Sequence, residues 1–153
     1  MGQQQLLLLV LGMVIVGIAV VAGIQAFSEG KAKADRDAAI SDAMRIISDI
    51  QAWKLKPVAF GGGANGSDTD FQDVNFAALG ISTTGDAANL DNDKYETLNG
   101  CFALSGSTTE ATLTVYEPRN EDGTSCGDAI ATVTIDGTTV ADIEWDYATG
   151  SGS

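Results

Sequence analysis

The stretch Leu6–Ile24, LLLLVLGMVIVGIAVVAGI, decides how the rest of this 153-residue chain is read. It is a continuous run of 19 apolar or glycine residues, and no charged side chain occurs anywhere in residues 1–28. As an α-helix the run would span about 28 Å, close to the roughly 30 Å hydrocarbon thickness of a bilayer. A cleaved secretory signal fits less well. Such signals carry a basic n-region and a shorter apolar stretch, whereas the first base here is Lys31. The run is therefore expected to survive in the mature protein. A soluble helix that is apolar on every side needs a large surrounding core, and about 100 remaining residues cannot easily supply one. Lipid or neighbouring copies of the same helix must cover it. Gly12, Gly17 and Gly23 interrupt the run, each at a cost of about 1 kcal/mol of helix propensity relative to Ala. They read as points of close helix approach, as points where the helix stretches, or as lipid-facing filler, and no strict G-x-x-x-G chooses between these.

From Glu29 the character changes to EGKAKADRDAAISDAMRIISDIQAWKLKP, with opposite charges interleaved. Ile40, Ala43, Met44, Ile47 and Ile50 recur at helical spacing and define one apolar face, flanked by Ile46 and Trp53. Pro57 and Gly61–Gly63 supply the stop. If Gly30 does not break it, one rod-like helix from near residue 3 to near residue 54 is expected, on the order of 75–80 Å long. Any break should fall near Gly12, Gly17 or Gly23. Three regions follow: 1–28 as a membrane or core helix, 29–57 as its amphipathic continuation, and 58–153 as a head.

The head alternates with period two. Phe102 and Leu104 share a face; Ala111, Leu113 and Val115 lie opposite Thr112, Thr114 and Tyr116; Ala129, Ala131, Val133 and Ile135 alternate with Thr132 and Thr134. Asp136-Gly137 signals a tight turn before Ala141, Ile143 and Trp145. An antiparallel meander of about four strands is expected, apolar on one face and solvated on the other, with the helix stripe as its cover. The fold class is α+β. Residues 61–99 read as a long irregular connection with short apolar patches at Val74–Phe76 and Leu79–Ile81.

Charge and composition exclude several functions. The chain has 21 acids, 8 bases and no histidine, a net −13, and residues 58–153 hold 16 of the acids against only Lys94 and Arg119. So acidic a surface repels phosphate backbones, and no nucleic-acid binding is predicted. Without histidine the usual base near neutral pH, the usual zinc ligand and Ser-His or Cys-His dyads are missing, so no enzyme and no cofactor is predicted. Cys101 and Cys126 cannot complete a four-ligand zinc site. A disulfide is the expected reading, placing the head in an oxidising compartment, with two separate buried thiols as the alternative.

The remaining polar candidates are weaker. Asp91 and Asp93 around Asn92, and Asp68 and Asp70 with Asp73, cluster oxygens that suit calcium. Neither is an EF-hand loop: the sixth position holds Glu96 or Asp73 rather than Gly, and the twelfth holds Phe102 or Leu79. Solvated acidic loops are the simpler reading. Glu144 and Asp146 share a strand face without a cleft signal and read as solubilising residues. Asn65-Gly66-Ser67 matches the N-glycosylation pattern.

Taken together, Met1, a polar QQQ, the uncharged helix and an amphipathic half packed on a disulfide-bearing antiparallel sheet resemble the type IV pilin family. The N-terminal segment looks like the mature end of a pilin whose basic leader has been removed, and Gly2 before Gln3 resembles an archaeal-type processing site. The resemblance implies subunits stored in the inner or cytoplasmic membrane and extracted into an extracellular helical filament. Identical subunits are then the partners, joined through Gln5, Leu6, Leu9, Met13, Val16, Val20 and Ile24. Many bacterial pilins carry a glutamate where this chain has Gln5, which pairs with a neighbour's terminal amine; Gln5 offers a hydrogen bond instead. The competing expectation is a single-pass membrane protein displaying an acidic, calcium-binding recognition head.

Overall fold

A computed structural model of the chain describes residues 2–63, 71–82, 94–118 and 126–148. One α-helix, α1, runs Gly2–Leu55 and is unbroken at Gly12, Gly17, Gly23 and Gly30. The chain divides into two compact units, Met1–Ala34 and Asp35–Ser153, and α1 contributes to both. Every described residue of the first unit is exposed.

The end of α1 is set by Pro57 and the glycines. A short 3-10 turn over Val58–Phe60 closes on Gly61, whose φ of 78° lies in the left-handed region that glycine tolerates. The Gly63 N–H then donates to the Trp53 carbonyl at 3.1 Å, satisfying one of the acceptors that a helix end leaves open. Gly62 has no room for a side chain: a Cβ there would run into the Lys56 side chain and lie 2.7 Å from the Trp53 carbonyl oxygen.

The second unit is built on one antiparallel sheet of five strands in sequence order: β1 (Lys94–Glu96), β2 (Cys101–Gly106), β3 (Ala111–Tyr116), β4 (Ala129–Ile135) and β5 (Ile143–Tyr147). Leu104, Leu113, Val133 and Trp145 align across β2 to β5 on the inner face. On the outer face Thr112 faces Thr134 and Thr114 faces Thr132, with Glu144 and Asp146 continuing those rows on β5. The α+β architecture and the one-sided alternation are as the sequence implies. The fifth strand, β1, pairs Tyr95 with Phe102 inside the stretch read as irregular. Three residues are too few to carry a period-two signal.

Three details depart from the periodic reading. Ala129 is exposed and Ile130 buried, because a register shift at Val115/Tyr116 gives β4 an extra residue opposite β3. Ala141 is exposed in a 3-10 turn over Val140–Asp142, so Asp136-Gly137 opens a wider connection than a two-residue hairpin. Met44 is 55% exposed, while the buried stripe runs through Ala39, Ala43, Ile46, Ile47, Ile50 and Trp53. At 3.6 residues per turn Met44 lies about 120° round the helix from Ile50, off the face that meets the sheet. Small residues lead that stripe where the backbones come closest, a Cβ on Gly100 being only 3.1 Å from that of Ala39.

The core joins this stripe to the inner sheet face and to Phe71, Val74 and Phe76 from the connection before β1. No charged or polar residue is buried among the described residues. The Phe71 N–H donates to the Ser107 carbonyl at 2.9 Å, and the Phe71 carbonyl occupies the space a side chain at Gly106 would need. Gly106→Ala should therefore destabilise the head by about 1–3 kcal/mol, as overpacking against backbone does, measured by urea unfolding of the disulfide-intact protein.

Candidate functional site

The surface most in need of a partner is the apolar part of α1. Every large apolar side chain from Leu6 to Ile24 is 51–75% exposed, so no side of the segment is covered. Leu6, Leu9, Met13, Val16, Val20 and Ile24 all belong to this surface, and Gln5 is exposed at its start. Each such aliphatic side chain gains about 1.5–3 kcal/mol on full burial. The helix is long and apolar enough to cross a membrane. A Cβ added at Gly12, Gly17 or Gly23 meets nothing within 4 Å, so these glycines answer no packing demand inside the chain.

The head is held by different means. Cys101, buried at the start of β2, forms a disulfide with Cys126, their Cα atoms 6.0 Å apart. Arg36 of α1 reaches the Glu117 carboxylate at 3.1 Å, the one ion pair among the described residues. The bridge and this pair hold the two ends of the β3–β4 connection, where the Glu117 N–H also donates to the Asp128 carbonyl. The Asp42 carboxylate accepts from the Thr97 hydroxyl and the Asn99 amide, tying the β1–β2 turn to α1.

No site for chemistry is assembled among the described residues. Asp91, Asp93, Asp68, Asp70 and Asn65 lie outside them, and Asp73 is exposed. No group of three His, Cys, Asp or Glu side chains there is arranged to hold a metal ion. Glu144 and Asp146 are exposed on the outer face of the edge strand β5. A small cavity of about 110 Å³ is lined by Asp42, Arg45, Ile46, Asp49, Ile81, Tyr95 and Thr97, with Asp42 already engaged as described.

One surface escaped the sequence reading. The turn after α1 exposes Leu55, Val58 and Phe60 together, where Pro57 and the glycines read only as a helix stop. The VAF triplet between two helix breakers was the available signal. The β4–β5 connection has its own organising group: the Asp142 carboxylate accepts from the Thr139 hydroxyl at 2.7 Å and the Thr139 N–H at 2.8 Å. These bonds, the hydroxyl first, hold Asp142 below the ordinary value of 3.8. The carboxylate also fills the space beside Gly137 where a side chain would stand.

Compared with known protein families, curated proteins and solved structures, the chain matches none.

Replacing both cysteines by serine should remove about 3–4 kcal/mol of head stability on the chain-entropy estimate for a loop of this size, read by denaturant unfolding. The Asp142 carboxyl should titrate below 3.8 by NMR, and Thr139→Val should raise its midpoint. Because the folded-state value is the lower one, the turn's stabilisation is complete above 3.8 and is lost as pH falls through the folded value.

Proposed function

We propose that this chain is the structural subunit of an extracellular filament of the type IV pilus kind, held in the membrane before assembly and polymerised through the N-terminal part of α1. The observation that carries this reading is the segment Leu6–Ile24, apolar all round and exposed on every side, continuous in one helix with the amphipathic stripe that covers the head's sheet. A segment of that kind has two favourable environments, hydrocarbon and a bundle of its own copies, and a subunit that moves from one to the other needs both. The disulfide agrees with an extracellular head, and the outer face of the sheet, lined with threonines and acids, agrees with a water-facing surface.

The reading contains no catalytic step and no cofactor. Gln5 contributes a neutral amide at the start of the bundle, where its hydrogen bonds are worth most if water is excluded.

Val16→Asp tests the proposal. A carboxylate in the middle of the run costs about 2.5–3.5 kcal/mol on an insertion scale. Filaments seen by electron microscopy of shed surface material should disappear, while a fragment starting at Asp35 stays folded and monomeric in sedimentation. A fragment that polymerised without the apolar segment would instead favour an anchored recognition domain.

A further inference from the structure

Strand β5 is last in the sheet order, and among the described residues no strand pairs with its far side. From this open edge, and independently of the filament reading, we infer that β5 is a docking site for an extended segment of another protein in which large apolar residues alternate with Lys or Arg.

The strand register shows which backbone groups are on offer. In an antiparallel pair, alternate residues exchange hydrogen bonds with the residue opposite, and those between turn their groups to the other side. Asp136 N–H donates to Asp142 O at 3.1 Å and Ala148 N–H to Ile130 O at 3.0 Å, in register with Thr134 opposite Glu144 and Thr132 opposite Asp146. The even-numbered residues of β5 therefore bond to β4, and Ile143, Trp145 and Tyr147 direct their N–H and C=O groups away from the sheet. None of these three has a hydrogen bond on that side among the described residues. A row of open donors and acceptors is a template for one more strand.

The side chains state what that strand must carry. Residues directly opposite in an antiparallel pair lie on the same face of the sheet. Glu144 and Asp146 are exposed on the outer face, and neither belongs to an ion pair among the described residues. On the inner face Ile143 and Trp145 pack against the core, and Tyr147, 53% exposed, stacks on Trp145 with ring centroids 5.7 Å apart. An added strand thus meets carboxylates on one face and apolar or aromatic groups on the other. Bases alternating with large apolar residues satisfy both faces at once.

A second copy of this chain does not supply such a segment. Two β5 strands paired antiparallel about Trp145 would set Glu144 opposite Asp146 twice, and like charges directly opposite destabilise a sheet. Bases two residues apart occur only at Lys31 with Lys33 and at Lys54 with Lys56, in α1 or directly after it, and the only base on a strand is Lys94. The acids that keep β5 from joining its own kind therefore select a basic partner, so that specificity comes from repulsion as well as attraction.

The test titrates a capped peptide, acetyl-Thr-Val-Lys-Val-Lys-Val-Thr-amide, into the full chain in micelles of a non-ionic detergent. Binding should be saturable. At saturation the amides of Ile143, Trp145 and Tyr147 should exchange with deuterium about tenfold more slowly or better, while those of Glu144 and Asp146, already bonded to β4, change little. The same peptide N-methylated at its three valines keeps its charge and apolar content but should not bind. Glu144→Lys with Asp146→Lys should weaken the lysine peptide by about tenfold or more and make the chain accept the counterpart with glutamates in place of lysines. Equal binding of the methylated peptide would mean general attraction to an acidic head and would overturn the inference. Unchanged exchange at the three β5 amides would do the same, as would their protection on raising the protein concentration without peptide, the mark of β5 pairing with itself. None of these outcomes bears on the filament reading, which stands or falls with Leu6–Ile24.

Discussion

Water around the first half of α1 is the constraint on which everything else turns. A globular chain hides its apolar side chains against each other, but Leu6–Ile24 is apolar in every direction and the 51–75% exposure of its large side chains leaves no face satisfied. Backbone polarity adds a second condition, since only a helix pairs its own N–H and C=O groups without help from solvent. The same sequence property therefore requires both the helical form and an external cover. Membrane hydrocarbon and a bundle of like helices each meet these two conditions, so the proposed stored and assembled states place the same demand on the segment.

The amphipathic half of α1 obeys a different rule, and the head depends on it. Sheet residues Phe102, Leu104, Leu113, Val115 and Val133 present an apolar face that no second sheet covers among the described residues; Ile46, Ile47, Ile50 and Trp53 cover part of it, and Phe71, Val74 and Phe76 belong to the same core. Only Trp53 Nε1 is a buried side-chain polar atom lacking a hydrogen bond among the described residues. The disulfide then constrains the unfolded chain across 25 positions, joining the start of β2 to Cys126 ahead of β4.

Much of this was legible in the residues, and the exceptions have physical causes. Strands β2 to β5 and the helix were visible because burial of one face imposes a period, and the disulfide because two cysteines without histidine have few other uses. The stripe on α1 was displaced at Met44, since a spacing pattern in a helix rich in Ala and Ile does not say which of two adjacent faces meets the sheet, and Ala39 carries no hydrophobic signal of its own. β1 is too short to show alternation. The core role of Phe71 was hidden because it depends on Gly106 admitting a backbone carbonyl, a long-range fit with no local signature. The exposed Leu55–Phe60 turn was hidden for a different reason: Pro57 and the glycines around it read as a helix stop, and three apolar residues between helix breakers show no period that would say whether they are covered.

In the proposed filament, electrostatics favours concentrating association in α1. Heads whose residues 58–153 carry 16 acids against two bases repel one another whenever they approach, and the repulsion is long-ranged until salt shortens it to roughly 8 Å at physiological ionic strength. Such heads gain solubility and resist unwanted clumping, so an assembly of them needs an adhesive that charge does not weaken. Under the filament proposal, apolar burial of Leu6–Ile24 would be that adhesive: it is insensitive to the screening that governs the heads, and the apolar surface is uniform around the helix. On that proposal the acidic head and the uncharged helix have complementary roles: the charge of the first opposes indiscriminate association, and the second supplies the apolar surface along which copies meet.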